Sequence, residues 1–179
     1  MKHQTLVSTT RYDAGVLPRR SIADGRGLSS GDPAILAVTD FTREHPVTID
    51  PERQIDDALD DMIRMGVRAL LAVKDQRIVG LITSYDIQGE RPLQFLQSST
   101  YSRHRDIRVA HIMTPWHALT AINWETLQTL RAGDLLQLLE HAGLTHIIVV
   151  EADRAGSSCA VRALVSRTRL IRQLSGIRG

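Results

Sequence analysis

One pattern occurs twice in this chain, and that duplication limits the fold more than any single motif does. The first copy holds an amphipathic stretch from Asp57 to Met65, then Gly66, the apolar run Leu70 to Val73, and Gly80-Leu81-Ile82-Thr83-Ser84-Tyr85-Asp86. Its echo holds Asp134 to Ala142, then Gly143, Ile147 to Val150, and Ala163-Leu164-Val165-Ser166-Arg167-Thr168-Arg169. The helical parts lie 77 residues apart and the closing motifs 83 apart, so the second copy carries six extra residues between them. Arg169 stands where the first copy has Asp86.

Each copy reads strand, helix, strand, strand, helix, which predicts an α+β fold. In the first, Pro46-Val47-Thr48-Ile49 is a short strand edge, and Asp50-Pro51 marks the turn into a helix. Ile55, Ala58, Leu59, Met62 and Ile63 share one face of that helix at i, i+3, i+4, i+7 and i+8, with Asp56, Asp57, Asp60, Asp61 and Arg64 largely opposite. Gly66 supplies the left-handed residue that ends it. Leu70 to Val73 and Ile78 to Ile82 predict a hairpin around the polar loop Lys74-Asp75-Gln76-Arg77. A further helix is predicted from about Ser84 toward Leu96, disturbed or restarted by Pro92.

The turn-rich residues 1–33 predict an extended arm, 34–97 a first domain, 98–108 a polar and basic linker, and 109–179 a second domain. In the second domain, Trp116 to Leu130 is a longer approach to the helix, with an extra strand or helical turn at Ile122 to Leu127. Asp153 to Ser158 accounts for the longer hairpin.

The formal net charge of +2 is too small to argue for nucleic acid, and the basic cluster Arg103, His104, Arg105 and Arg108 reads as a solvated linker. No run approaches the ~18 apolar residues of a membrane helix. Cys159 is the only cysteine, and the opening residues Met1 to Thr5 lack a signal peptide's apolar stretch. These features predict a soluble, cytoplasmic protein. The seven histidines (His3, His45, His104, His111, His117, His141 and His146) form no close ligand pair, so no metal site is predicted. Cys159 has no histidine at a useful spacing, and no catalytic constellation is evident.

The order of elements, with Val109-Ala110-His111-Ile112-Met113-Thr114-Pro115 and Gly80 to Asp86, resembles a tandem pair of CBS (cystathionine β-synthase) domains, the Bateman module. The likeness covers about residues 34–175 and is greatest to small stand-alone bacterial CBS-pair proteins. It implies two βαββα repeats packed with pseudo-two-fold symmetry, leaving clefts for adenosine-type ligands. By that resemblance Asp86 accepts the two ribose hydroxyls and Thr83 helps hold the sugar or phosphate. Val67, Ala69, Leu70 and Ile82 are the implied walls for adenine. The chemistry is sound, because an ionised carboxylate is acceptor-only and a vicinal diol offers two donors. The same Thr83-x-x-Asp86 spacing is also a capping box, and the two roles can coexist. Leu71 departs from the family, where many such strands carry Pro.

In the second copy Ser166 keeps the hydroxyl, but the guanidinium of Arg169 has no acceptor and cannot take a diol. With Arg167 it could meet phosphate or a carboxylate, or simply form a solvated basic face. One competent ribose site is therefore expected, and one altered or empty cleft. The resemblance implies a non-enzymatic regulatory module that needs no cofactor. It would bind AMP, ADP, ATP or S-adenosylmethionine, pair as a homodimer through helical faces (Leu138 and Ile171 are candidates), and act on an unidentified effector protein. The alternative is a structural or protein-interaction pair that has lost nucleotide binding.

Overall fold

The computed structural model describes residues 27–101, 103–152 and 159–176. The arm up to residue 26 and the hairpin tip Asp153 to Ser158 lie outside the described residues. The elements run β1 (Thr39–Asp40), β2 (Thr48–Ile49), α1 (Ile55–Met65), β3 (Ala69–Lys74), β4 (Arg77–Thr83), α2 (Ser84–Gln88) and α3 (Arg91–Ser98). There follow α4 (Val109–Ile112), β5 (Thr114–Pro115), β6 (Ala121–Asn123), α5 (Trp124–Thr129), α6 (Ala132–His141), β7 (His146–Ala152), β8 (Cys159–Ser166) and α7 (Arg167–Leu174).

Two four-stranded sheets form, in the orders β2-β3-β4-β5 and β1-β8-β7-β6. In each, a parallel pair precedes an antiparallel hairpin: β2 with β3 then β4, and β6 with β7 then β8. The fourth strand of each sheet comes from the other half of the chain. β5, which opens the second copy, pairs with β4, and β1, which opens the first, pairs with β8.

The cores are exchanged in the same way. Ala34, Ala37 and Val38 pack with Leu135, Leu139, Ile147 and Leu170 of the second copy, whereas Val109 and Ile112 pack with Ile55, Met62, Leu70 and Ile82 of the first. The exchange also satisfies the free N–H groups at helix starts. Ala132 N donates to Asp32 O at 2.8 Å and Gly133 N to Ser30 O at 2.9 Å, while Ile55 N donates to Ile107 O at 3.1 Å. A third cluster, built on Leu71, Leu81 and Ile148, joins the two sheets. Strand alternation explains this division: Leu70 and Ala72 enter the first copy's core, while Leu71 between them faces the other sheet.

Helix α1 ends at Gly66, whose φ of 67° is the left-handed conformation its position requires. Its buried stripe is narrower than the periodicity predicts. Ile55, Ala58 and Met62 are enclosed, but Ile63 is 71% exposed. The hairpin turn is tighter than predicted, because Lys74 and Arg77 pair with each other. That leaves a two-residue turn in which Asp75 and Gln76 both take positive φ, 50° and 60°. The predicted second helix breaks after Gln88, and α3 restarts with Pro92 in its first turn. The segment at Ile122 to Leu127 is both a strand and a helix. β6 is the counterpart of β2, and α5 is the additional element.

Candidate functional site

At the end of β4 the chain turns directly into α2, and the turn builds the site. Thr83, 4% exposed, is the N-cap, and its Oγ1 accepts from Asp86 N at 3.2 Å. In return Asp86 Oδ2 accepts from Thr83 N at 2.8 Å and from Thr83 Oγ1 at 2.7 Å. The capping box is therefore complete.

The other carboxylate oxygen is also engaged. Asp86 Oδ1 lies 3.0 Å from Nη1 of Arg91, the first residue of α3. The same Nη1 donates to Ile112 O at 2.7 Å and to Thr114 Oγ1 at 3.2 Å. Asp86 is thereby tied to the segment that opens the second copy. Gly80 makes that approach possible, since a Cβ there would lie 2.7 Å from both Met113 Sδ and Thr114 O.

The second copy meets this site at two further points. The Tyr85 hydroxyl lies 3.4 Å from Thr168 Oγ1, so the starts of α2 and α7 touch across the molecule. Burial pushes the partly buried His146 down to about 4, and the Asp86 carboxylate only partly pulls it back. His146 is therefore a neutral imidazole at pH 7, held near an anion.

Beyond Arg91 opens a cavity of about 410 Å³, lined by Arg91, Gln94, Phe95, His111, Thr114 and Ala118 among others. Phe95 and His111 stack on its wall with ring centres 4.4 Å apart. A second cavity, of about 330 Å³, lies on the helical face between Leu59, Ile63, Val67, Ser84 and Gln88.

The corresponding place in the second copy is built differently. Ser166 is the N-cap of α7 but makes no side-chain capping bond, and Arg167 N donates instead to Thr145 O at 2.9 Å. Arg169 Nη1 donates to Thr39 Oγ1 at 2.6 Å, and Nη2 lies 3.8 Å from Glu44 Oε1. Arg169 thus meets a carboxylate of its own chain.

Of the residues singled out in the sequence, Thr83 and Asp86 come together, and Ser166 and Arg169 sit at the matching end of the other sheet. Ala69 packs in the cluster between the sheets. Leu70 and Ile82 are fully enclosed in the first copy's core, backbone included, and line neither cavity. Val67 packs on that core from the edge of the smaller cavity. The basic linker faces acids of the first copy: Arg108 lies 2.9 Å from Glu52 and His104 lies 3.5 Å from Asp56.

Sequence reading passed over Arg91. One signal was present: the first copy has the pair Asp86 and Arg91, whereas the second has Arg169 and Leu174 at the matching positions. Among the described residues no group of three or more His, Cys, Asp or Glu side chains is placed to hold a metal ion, and no helix is long and apolar enough to cross a membrane.

Comparison with known proteins gives the class. Residues 38–91 match the CBS domain family. No curated protein matches the sequence. Among solved structures, a CBS-domain protein from Burkholderia ambifaria is 20% identical, with TM-score 0.57 over 82% of this chain and 95% of its own. A conserved protein from Pyrococcus horikoshii is 18% identical, with TM-score 0.56 over 85% of this chain and 97% of its own. The CBS domain of a bacterial CNNM/CorC family Mg2+ transporter, solved in complex with ATP, is 18% identical, with TM-score 0.53 over 83% and 91%. The fold is that of a tandem CBS pair. Its first repeat carries the family match itself, and the two exchanged leading strands weld both repeats into one module.

Proposed function

We propose that this chain is a regulatory module that binds an adenosine-containing metabolite (AMP, ADP, ATP or S-adenosylmethionine) beside Asp86 and performs no catalysis. The observation that carries the reading is the Asp86 carboxylate. It is anchored at a strand-to-helix junction where both repeats meet, next to an open cavity with aromatic and apolar walls and the Arg91 cation. The ATP complex of the similarly folded transporter domain supports the ligand class. Occupancy would be transmitted through the welded sheets, because Arg91 joins Asp86 to Ile112 and Thr114 of the opposite repeat.

The second cleft, at Ser166 and Arg169, is read as altered: Arg169 is satisfied by Thr39 and Glu44 and offers no acceptor to a diol. A homodimer through the helical faces is also proposed. It is supported by the exposed apolar side chains Ile63, Leu138 and Ile171. An effector protein, reached from the cytoplasm, completes the reading.

One observation favours a second reading, a protein-interaction pair without a ligand. Both oxygens of Asp86 already have partners within the chain. Calorimetric titration of nucleotide-stripped protein with the four metabolites separates the two. The sensor reading expects saturable binding of at least one, lost in Asp86→Asn while the fold persists. Silence toward all four leaves the interaction reading.

A further inference from the structure

The geometry points to Arg91 as a specificity-determining residue: it masks Asp86 in the empty site and leaves it for the ligand's phosphate, so that the site selects phosphorylated adenosine over the bare nucleoside. This inference rests on the nucleotide reading of the Asp86 site. It follows from counting acceptors. A carboxylate offers about four lone-pair positions. Thr83 uses two of them on Oδ2, and Arg91 Nη1 stands against Oδ1 as an ion partner at 3.0 Å. A vicinal diol needs two, so one existing contact must yield.

The Thr83 contacts are the costly ones to lose. Thr83 is buried, and removing its acceptor would leave a backbone N–H without a partner at the start of α2. Arg91 is the cheaper one, since its side chain is 44% exposed while that of Asp86 is 13% exposed; turning it also gives up its bonds to Ile112 O and Thr114 Oγ1, which the ligand's phosphate must outweigh. Both Arg91 hydrogen bonds and its ion pair with Asp86 use Nη1, and among the described residues Nε and Nη2 have no partner. The guanidinium already borders the larger cavity, whose lining contains no carboxylate. Turned into that space, it presents a two-pronged donor edge to a phosphate and frees Oδ1 for the ribose.

The two events are therefore coupled. A phosphorylated ligand replaces what Arg91 gives up, whereas adenosine must evict Arg91 with nothing in exchange. The prediction is a preference for AMP over adenosine of roughly tenfold or more, the scale of one hydrogen bond to a charged group.

The test is calorimetric titration of AMP and of adenosine into the wild type, Arg91→Ala, Arg91→Lys and Asp86→Asn, each checked by thermal melting for an intact fold. In Arg91→Ala the preference collapses toward unity from both sides, with AMP weakened and adenosine tightened. Arg91→Lys keeps part of it. An unchanged AMP-to-adenosine ratio in Arg91→Ala, or equal weakening of both ligands, overturns the inference while leaving Asp86 as the ribose acceptor. No binding of either ligand to any of the proteins overturns this inference, and silence toward ADP, ATP and S-adenosylmethionine as well overturns the nucleotide reading too.

Discussion

Replacing Asp86 separates its structural role from its binding role, and the structure gives the size of the first. In Asp86→Ala the buried Thr83 N–H loses the one side-chain acceptor it has among the described residues, which costs about 1–2 kcal/mol. The ion pair with Arg91 adds about 0.5 kcal/mol, discounted because Arg91 is substantially exposed. Arg91 keeps Ile112 O and Thr114 Oγ1, so no charge is stranded. The total is about 2 kcal/mol, or a fall in melting temperature of roughly 4–8 °C for a chain of this size. Asp86→Asn keeps one oxygen for Thr83 but turns an amide donor toward Arg91 or loses that pair, so about 1 kcal/mol is expected. Urea denaturation of the three proteins measures both values. A loss below about 0.5 kcal/mol in Asp86→Ala would refute the capping account, since a satisfied buried N–H cannot be orphaned so cheaply.

Three further outcomes are expected. His146 binds protons less readily folded than unfolded, with about 4 against an ordinary 6.5. The unfolded chain therefore takes up more protons between those values. Stability should be fully present above about pH 6.5 and fall by up to about 3 kcal/mol as pH drops toward 4. Urea titrations across this range on wild type and His146→Gln test it, and an equally steep pH dependence in the variant would contradict it. Gln76→Gly relieves a non-glycine residue at φ 60° and should stabilise the protein by about 0.5–1 kcal/mol, read by thermal melting. Gly80→Val forces a side chain into Met113 and Thr114 and should cost about 1–3 kcal/mol by the same assay.

Much of the fold was legible because its signals are local and repeated. The α1 face, the Gly66 terminator and the apolar hairpin strands follow from periodicity alone, and the second copy supplied an independent reading of each. The exchange of leading strands was not legible. β1 and β5 are only two residues long, too short for any periodic signal, and their partners are chosen by the cores that Ala34, Val38, Val109 and Ile112 fill. Ile63 lies on the apolar side of the helical wheel, yet the sheet beneath α1 covers only the stripe through Ile55, Ala58 and Met62. At the site, the Thr83 and Asp86 cap is an i, i+3 relation and could be read directly. The partner on Asp86 Oδ1 could not, because Arg91 reaches it only after α2 breaks at Gly89 and α3 restarts. The neutral state of His146 depends on burial between the repeats, which no spacing along the chain encodes.

The central claim is that Asp86 holds the ribose of an adenosine ligand. A crystal structure of the stripped protein soaked with AMP tests it most directly. The account predicts nucleotide density beside α2, both ribose hydroxyls within hydrogen-bond distance of Asp86 and the phosphate on Arg91. Asp86 still bound only to Thr83 and Arg91 under saturating AMP, or nucleotide bound elsewhere on the module, would contradict it.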